Sequence, residues 1–447
     1  MKEHCRRIAT QAFSTALIVF AIAVLAPMTV RADQNTEKLP AKVRWVLNDV
    51  GHLIDKKDYA AAVKRLLEFQ SRGGPAPESA STPPNAYHHP IIYFALGNCR
   101  LYQERYDQAE AALATAVRLQ PDLVAAWLNL AKVFYEQEKF VEAAAHFKEA
   151  YERSPDKRAE HLYYSAASLL TAQRYKAAIA VFERLFAAHP DRIETPWKVH
   201  WVHALLADNQ ARRALPYIGA LIAEHSGKER IRWQEILLYQ YVQLKMTAKA
   251  RTYARALTRE TPSEARWWKM FCQLELTAGE YTTALAALTI YGYLKPLTDE
   301  EKRLWADLNL QLEIPGQAAP LYEEMLATAP NPQILKNLVL AYRRLDRPEA
   351  ALAQLANVPR IGKDPELMML KGDLLYEMKR YAEASAAYRC AACEKHSRTG
   401  KAWLMAGYAA WQAKDIDASR QAFERAADFK QQRRSALLAM RQLQKVN

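Results

Sequence analysis

The Cys-x-x-Cys spacing of Cys390 and Cys393 is the only pattern in this sequence that resembles a redox or metal motif. In an oxidising compartment such a pair can form a local disulfide, although a regular helix must distort to close it. Thioredoxin-like catalysis needs the pair at a helix start, where the dipole lowers the thiol pKa, whereas here it falls in the last turns of a predicted helix. The pair therefore predicts structural thiols or a local disulfide, with a thiol redox or metal-responsive factor as the alternative.

Two pairs of histidines also invite a metal interpretation. His88 and His89 lie in a loop beside Pro90, and His200 and His203 share one helical face with two tryptophans. Neither pair has a third ligand at a spacing that zinc would require, which favours loop residues for the first pair and aromatic packing for the second. No glycine-rich phosphate loop and no nucleophile elbow is present either. The sequence therefore predicts a protein that is not an enzyme, with no cofactor and no metal.

The elements that would position any site are helical hairpins, and residues 124–157 show the pattern best. Apolar residues three or four apart give one face to each of two helices, and Pro155 stops the second helix. Small residues at the crossing let the helices approach closely, and neither face can be buried within its own hairpin. The positions are Trp127, Leu130, Ala131 and Phe134 in the first helix and Phe140, Ala143, Phe147, Ala150 and Tyr151 in the second.

This spacing of Trp, Leu-Ala, aromatic, Ala, Phe, Ala and Pro resembles the tetratricopeptide repeat. The pattern returns about every 34 residues, with copies that start near residues 90, 124, 159, 195, 231, 265, 299, 332, 365 and 400. The resemblance implies an all-α, right-handed superhelical solenoid of ten or eleven hairpins over residues 90–430. The copy near 195 carries Pro216 inside its second helix, which predicts a kink or a shortened turn there.

The segments outside the regular array are assigned from composition. Residues 33–42 read as a polar tether, 43–70 as a degenerate N-terminal hairpin, and 71–89 as a loop rich in Pro, Gly and Ser. Residues 431–447 predict a C-terminal capping helix. Its residues Ala436, Leu437, Met440 and Leu443 would cover the last repeat, with Arg433, Arg434 and Arg441 facing water.

Residues 1–32 have the three parts of a secretory signal peptide. Lys2, Arg6 and Arg7 precede an apolar run, and a small-x-small site ends at Ala32. The segment predicts export to the periplasm with cleavage after Ala32. The alternative is an uncleaved anchor in the inner membrane, because no charge falls between Arg7 and Arg31.

The formal net charge of +13 would ordinarily suggest nucleic acid as a partner. Predicted export argues against nucleic acid, and the cations are scattered along helix faces with interleaved Glu. This distribution of charged residues therefore predicts a solvated surface. The alternative is a weak attraction to a membrane surface or to acidic cell-wall polymers.

The tetratricopeptide resemblance implies a binding groove formed by the first helices. Tyr, Arg, Lys and Asn in such a groove offer rigid aromatic area and donors for a peptide partner. A carboxylate clamp of this family would need cations where Phe94, Glu160 and Tyr164 stand, although Asn98 and Asn129 match its amides. The predicted partner-binding residues are Asn98, Asn129, Lys132, Tyr135, Tyr163, His203, Tyr239, Lys269, Gln273, Arg303, Lys336, Arg343, Tyr376, Tyr408 and Trp411.

The stretch from Trp233 to Leu443 also resembles exported repeat proteins encoded with TonB, ExbB and ExbD energy-transduction systems. That resemblance implies a periplasmic protein-interaction scaffold, acting as an adaptor of a TonB-linked outer-membrane uptake system, with TonB, ExbB or ExbD among its partners. It transfers no catalytic residue. An assembly factor for the outer membrane or cell wall is the alternative within the scaffold class, and the thiol factor is the alternative from another class.

Overall fold

The computed structural model describes residues 39–74, 85–357, 364–393 and 398–446. These residues form 23 α-helices, two short 3-10 helices and no β-strand, so the predicted all-α class is confirmed. The predicted signal peptide and most of the tether lie outside the described residues. Among the described residues, none of the helices combines the length and the apolar character needed to span a bilayer.

The chain divides into two compact units, which meet in sequence between Met246 and Thr247. The helices of the first unit are α1 (Ala41–Asp55), α2 (Tyr59–Ser71), α3 (Pro90–Tyr102), α4 (Tyr106–Leu119), α5 (Val124–Glu136), α6 (Phe140–Arg153), α7 (Ala159–Thr171), α8 (Tyr175–Ala188), α9 (Thr195–Ala207), α10 (Ala211–Glu224) and α11 (Gly227–Gln243). Two 3-10 helices, η1 (Ala86–His88) and η2 (Pro190–Arg192), precede α3 and α9.

The second unit continues the alternation of a first and a second helix. Its helices are α12 (Thr247–Glu260), α13 (Ala265–Thr277), α14 (Tyr281–Leu294), α15 (Asp299–Gln311), α16 (Pro315–Thr328), α17 (Pro332–Arg344), α18 (Pro348–Ala356), α19 (Pro365–Glu377), α20 (Tyr381–Ala392), α21 (Thr399–Gln412), α22 (Ile416–Ala427) and α23 (Arg433–Val446). In both units, consecutive helices pack as neighbours, as a helical solenoid requires.

Several hairpins are closed by a small residue that faces a large one. Ala131 of α5 and Phe147 of α6 are both fully buried in one cluster. Where the small residue is glycine, no larger one fits: a Cβ on Gly372 would lie 2.5 Å from the ring of Tyr388. Close helix approach therefore depends on a small side chain at this position.

The turn within each hairpin has a residue in the left-handed region. The first is Lys57, and from Glu104 to Lys414 the position recurs at spacings of 33 to 36 residues. Gly279 is one of these eleven residues, and the other ten carry side chains at φ values between 54° and 65°. The turn geometry is thus a structural repeat that the apolar pattern did not reveal.

The N-terminal hairpin is more regular than its sequence suggests. Helix α1 begins at Ala41, inside the predicted tether, and buries Val43, Val46 and Val50 against α2 and α3. Its face is built from valines, which the repeat signature does not include. The interpretation of this hairpin as degenerate therefore reflects residue types and not a missing helix.

His88 is not the simple loop residue that the sequence predicted. It is 5% exposed, with Nδ1 2.9 Å from the hydroxyl of Tyr93 and Nε2 2.8 Å from the carbonyl of Gly74. Its neighbour His89 accepts a hydrogen bond from the backbone N–H of Ile91 and so caps α3. The two histidines anchor the described ends of the loop to α3.

Two further expectations concern α10 and α23. Helix α10 runs for 14 residues with Pro216 in its sixth position, so the turn is not shortened, and the kink stays a prediction. In α23, Leu437 is 44% exposed and does not cover the preceding helix pair. Ala436, Ala439 and Leu443 are the buried residues of this helix.

Candidate functional site

The candidate site lies on the first helices of the first unit, where α3 and α5 run side by side. A cavity of about 270 Å³ opens between them. Three of the predicted binding residues, Asn98, Asn129 and Lys132, line it. The remaining lining residues are Leu101, Tyr102, Glu104, Tyr106 and Glu136.

The floor of this cavity is a pair of buried amides. Asn129 Nδ2 donates a hydrogen bond of 2.6 Å to Asn98 Oδ1, and the two residues are only 6% and 5% exposed. Among the described residues, neither side-chain amide makes a second hydrogen bond. The Asn98 N–H groups and the Asn129 carbonyl oxygen are therefore left for a ligand or for water, and together they match the acceptor and donor of one peptide group.

The walls of the cavity combine aromatic rings with charges of both signs. Burial raises the pKa of Tyr102 to about 12, and its ring stacks on Tyr59 with centroids 4.5 Å apart. Burial also raises the pKa of Tyr106, and the carboxylates of Glu136 and Glu104 add to that shift. Both hydroxyls therefore remain protonated donors at neutral pH. The half-buried Lys132 supplies the cation.

Tyr135 and Tyr163 were both predicted to present rings to a partner, and the structure separates them. Tyr135 is half-buried, with its ring 5.0 Å from that of Phe140, and burial raises its pKa. Tyr163 is only 4% exposed, stacks on Trp197 at 4.9 Å and lies 3.0 Å from His200 Nδ1. Its ring is part of the packing between α7 and α9, so Tyr163 is corrected from a contact residue to a core residue.

The histidine pair of the fourth copy packs with aromatic residues, as predicted. His203 is half-buried, lies 6.5 Å from the ring of Tyr175, and has a pKa lowered by burial. Burial lowers the pKa of His200 to about 4, and His203 adds to that shift. Both rings are therefore neutral at pH 7. Groups of three or more potential metal ligands are absent from the described residues.

In the second unit the predicted cations pair with carboxylates of the next first helix. Lys269 Nζ lies 2.7 Å from Glu301, Lys336 Nζ lies 2.5 Å from Glu366, and Arg343 binds Glu377 with two nitrogens. Arg303 lies 3.7 Å from Asp307 on its own helix. A partner carboxylate would have to compete with these ion pairs, which makes this stretch a poorer cationic groove than its sequence suggests.

The other predicted contact residues are half-buried and are spread over four first helices. They are Tyr239 on α11, Gln273 on α13, Tyr376 on α19 and Tyr408 and Trp411 on α21. Tyr376 lies edge-on to Tyr381, and both Tyr408 and Trp411 lie edge-on to Phe423. Part of their aromatic area is therefore already used within their own hairpins.

Cys390 and Cys393 are free, exposed thiols at the end of α20. Cys393 follows the last residue of that helix, and its Sγ lies 3.2 Å from the carbonyl oxygen of Arg389. No bond joins the two sulfurs, so the predicted local disulfide stays a prediction for oxidising conditions.

Sequence reasoning missed the cavity residues outside the counted repeat positions. Tyr102, Glu104 and Tyr106 lie at the end of α3, in its turn and at the start of α4, where the repeat signature is least informative. It also missed Glu275, whose fully buried carboxylate binds Arg251 through two nitrogens at 2.9 and 2.6 Å. A carboxylate in an apolar first helix, with an arginine in the preceding second helix, is the signal that could have indicated this pair.

The fold and the hairpin packing define a helical repeat protein, and family models agree. Residues 94–158 and 369–434 match one tetratricopeptide repeat model, and residues 134–195 match a second. Segments in both units thus match tetratricopeptide repeat models. Such repeats generally serve as non-enzymatic scaffolds that bind protein partners. Among curated proteins, none matches this sequence.

Solved structures with a similar fold were found at low identity. A tetratricopeptide repeat protein from Parabacteroides merdae ATCC 43184 is 14% identical, with 68% of this chain and 99% of that chain covered and a TM-score of 0.33. YrrB, described as a TPR protein with an unusual peptide-binding site, is 19% identical over 42% and 97% of the two chains, with a TM-score of 0.34. The structure of Naa15/Naa10 bound to HypK-THB is 13% identical, with 90% of this chain and 73% of that chain covered and a TM-score of 0.41. These values carry no conclusion about what this chain binds.

Proposed function

We propose that this chain is a scaffold that binds an extended segment of a protein partner along its first helices, with the cavity between α3 and α5 as the main contact. The carrying observation is the Asn98–Asn129 pair, which leaves the Asn98 N–H groups and the Asn129 carbonyl oxygen for a ligand at the floor of a lined cavity. The N–H and C=O groups of an extended peptide can take the place of water on these atoms.

The cavity walls suit a peptide that carries both apolar and charged side chains. Tyr102 and Tyr106 offer aromatic surface with hydroxyl donors. The charged lining residues are one cation, Lys132, and two carboxylates, Glu104 and Glu136. Aromatic residues and a few charged groups usually dominate interface energy. Affinity here is expected to come from amide and aromatic contacts, since the cations of the second unit already have carboxylate partners.

The finer proposal places this scaffold in the periplasm as an adaptor of a TonB-linked outer-membrane uptake system. It is supported by the sequence alone: the three-part segment of residues 1–32 and the resemblance of Trp233 to Leu443 to exported repeat proteins encoded with TonB, ExbB and ExbD. An envelope protein purified from cells should begin at Asp33. A chain that still begins at Met1 would contradict cleavage and leave membrane anchoring.

A photo-crosslinker at Lys132, compared with one at Lys148, tests partner binding. Lys148 is exposed on α6, the second helix of the same hairpin, and is therefore a matched control. We expect partner crosslinks from position 132 and none from position 148, with TonB-system proteins among the partners if the finer proposal holds. Equal crosslinking from both positions would reject the first-helix site.

The partner so identified is then titrated against the purified wild-type protein and one double variant. Asn98→Leu with Asn129→Leu removes both amides together, so neither is left unpaired and the fold should be little affected. The double variant should bind about 30-fold more weakly, the loss of roughly 2 kcal/mol expected for a hot spot. Unchanged affinity with an unchanged melting temperature would remove the amide pair from the interface.

A further inference from the structure

The segment from Phe429 to Val446 has an unusual charge composition for this chain. It carries five cations, Lys430, Arg433, Arg434, Arg441 and Lys445, and no Asp or Glu. Among the other described helices with two or more Lys or Arg residues, only α17 also lacks Asp and Glu, and its Lys336 and Arg343 pair with carboxylates of α19. Four of these cations, Arg433, Arg434, Arg441 and Lys445, belong to α23, and Lys430 precedes it.

The two faces of α23 differ in what they contact. Ala436, Ala439 and Leu443 are 0 to 2% exposed, and the two alanines pack in one cluster with Phe423 and Ala426 of α22. The opposite stripe follows the helical spacing of residues 434, 437, 438 and 441 and is open to solvent.

This open stripe places two leucines between two arginines. Leu437 and Leu438 are 44% and 51% exposed, and both Arg434 and Arg441 are exposed. Neither arginine forms an ion pair with another described residue. Exposed leucines flanked by unpaired cations are the pattern of a helix that lies in a membrane interface, where apolar side chains enter the acyl boundary and cations reach phosphates.

Other occupants fit this stripe less well. A second copy would meet the same surface across a two-fold axis and bring Arg434 and Arg441 of each copy close to the cations of the other. A nucleic acid backbone would satisfy the arginines but offer nothing apolar to the leucines. An anionic lipid surface satisfies both, since its headgroups carry negative charge above a hydrocarbon layer.

We propose that the open stripe of α23, formed by Arg434, Leu437, Leu438 and Arg441, docks onto an anionic lipid membrane. The chain would then be held at a membrane surface by its second unit without any membrane-spanning helix among the described residues. This binding is independent of the protein partner proposed for the first helices.

Vesicle co-sedimentation tests the proposal with the chain from Asp33 onward, which keeps every described helix. Binding is expected to mixed phosphatidylcholine and phosphatidylglycerol vesicles and to be absent with phosphatidylcholine alone. Arg434→Gln with Arg441→Gln should weaken binding about 30-fold, because one cation near an anionic surface is worth about 1 kcal/mol, a factor of about five. Leu437→Ser with Leu438→Ser should weaken it about tenfold.

The matched control is Arg212→Gln with Arg259→Gln, which removes the same charge from exposed sites on α10 and α12. It should retain most of the binding. Equal losses from both arginine pairs would show a general charge effect and overturn the proposal, as would full binding by the serine variant. Light scattering could instead show that the wild-type chain is a dimer and that the serine variant is a monomer. If the wild-type chain also failed to bind vesicles, the stripe would be assigned to a second copy. Hydrogen exchange of the α23 amides that is unchanged in all variants confirms that α23 stays folded.

Discussion

His161 gives the first unit a sensitivity to acid that can be measured. It lies on α7, is 4% exposed, and its Nδ1 has no hydrogen-bond partner among the described residues. Its pKa is lowered from 6.5 to about 4, chiefly by burial, with a smaller contribution from nearby Arg158 and an opposing one from Glu160. The folded protein therefore holds His161 neutral at pH values where the unfolded chain protonates it.

The sign and size of the effect follow from the two pKa values. Above the unfolded pKa both states are neutral, so His161 makes no pH-dependent contribution there. As the pH falls below about 6.5 the unfolded state binds the proton first, and stability is lost until the folded state titrates near pH 4. Between about pH 7.5 and pH 5 this loss amounts to roughly 2 kcal/mol.

Hydrogen exchange of the α7 amides, after correction for intrinsic rates, measures this loss at α7 itself. A local measurement is needed because a repeat array can open in parts. The opening free energy of wild-type α7 should fall by about 2 kcal/mol more than that of His161→Gln over the same pH change. His52→Gln, at an exposed site on α1, should behave as wild type. His200 on α9, whose pKa burial lowers to about 4, should leave some acid sensitivity in the variant. Identical pH dependence in wild type and His161→Gln would refute the reasoning.

Two predictions concern the second unit. The fully buried Tyr322 donates a 2.6 Å hydrogen bond to Asp307. In chemical denaturation, Tyr322→Phe should therefore lower the free energy of unfolding by about 2 kcal/mol. The control Tyr281→Phe, at an exposed site, should change it little. A Cβ on Gly372 would lie 2.5 Å from a buried tyrosine ring, so Gly372→Ala should lower the free energy of unfolding by about 1 to 3 kcal/mol. Gly219 has open space around it, so the control Gly219→Ala should leave the free energy of unfolding unchanged or raise it. Equal unfolding midpoints within either pair would contradict the packing on which it rests.

The hairpins could be predicted because the repeat signature records packing that is local in sequence. A small residue and an aromatic 16 positions later, such as Ala131 and Phe147, meet within one hairpin, so their spacing recurs in the copies that keep the signature. The first helix of the N-terminal hairpin did not match the repeat signature because valines form its buried face in place of the signature residues.

The site was less predictable because neighbours in other hairpins decide whether its residues are buried or ion-paired. Tyr163 occupies a groove position in the repeat count, yet Trp197 and His200 on the next first helix bury it. Lys336 likewise reads as a free groove cation until Glu366 of the next first helix is placed beside it. Position in the repeat gives the direction of a side chain, and the residue 30 to 37 positions later decides whether it is available.

The left-handed turn residues mark where this chain can be recombined. Each segment from one such residue to the next, for example from Glu104 to Glu138, contains the second helix of one hairpin and the first helix of the following one. A segment cut at these points carries a complete boundary between two hairpins, and both cut ends have the same backbone geometry. Duplication or deletion of such a segment therefore changes the number of repeats while every remaining turn keeps its conformation. The length of this array is a quantity that evolution, or an engineer, can alter in steps of about 34 residues.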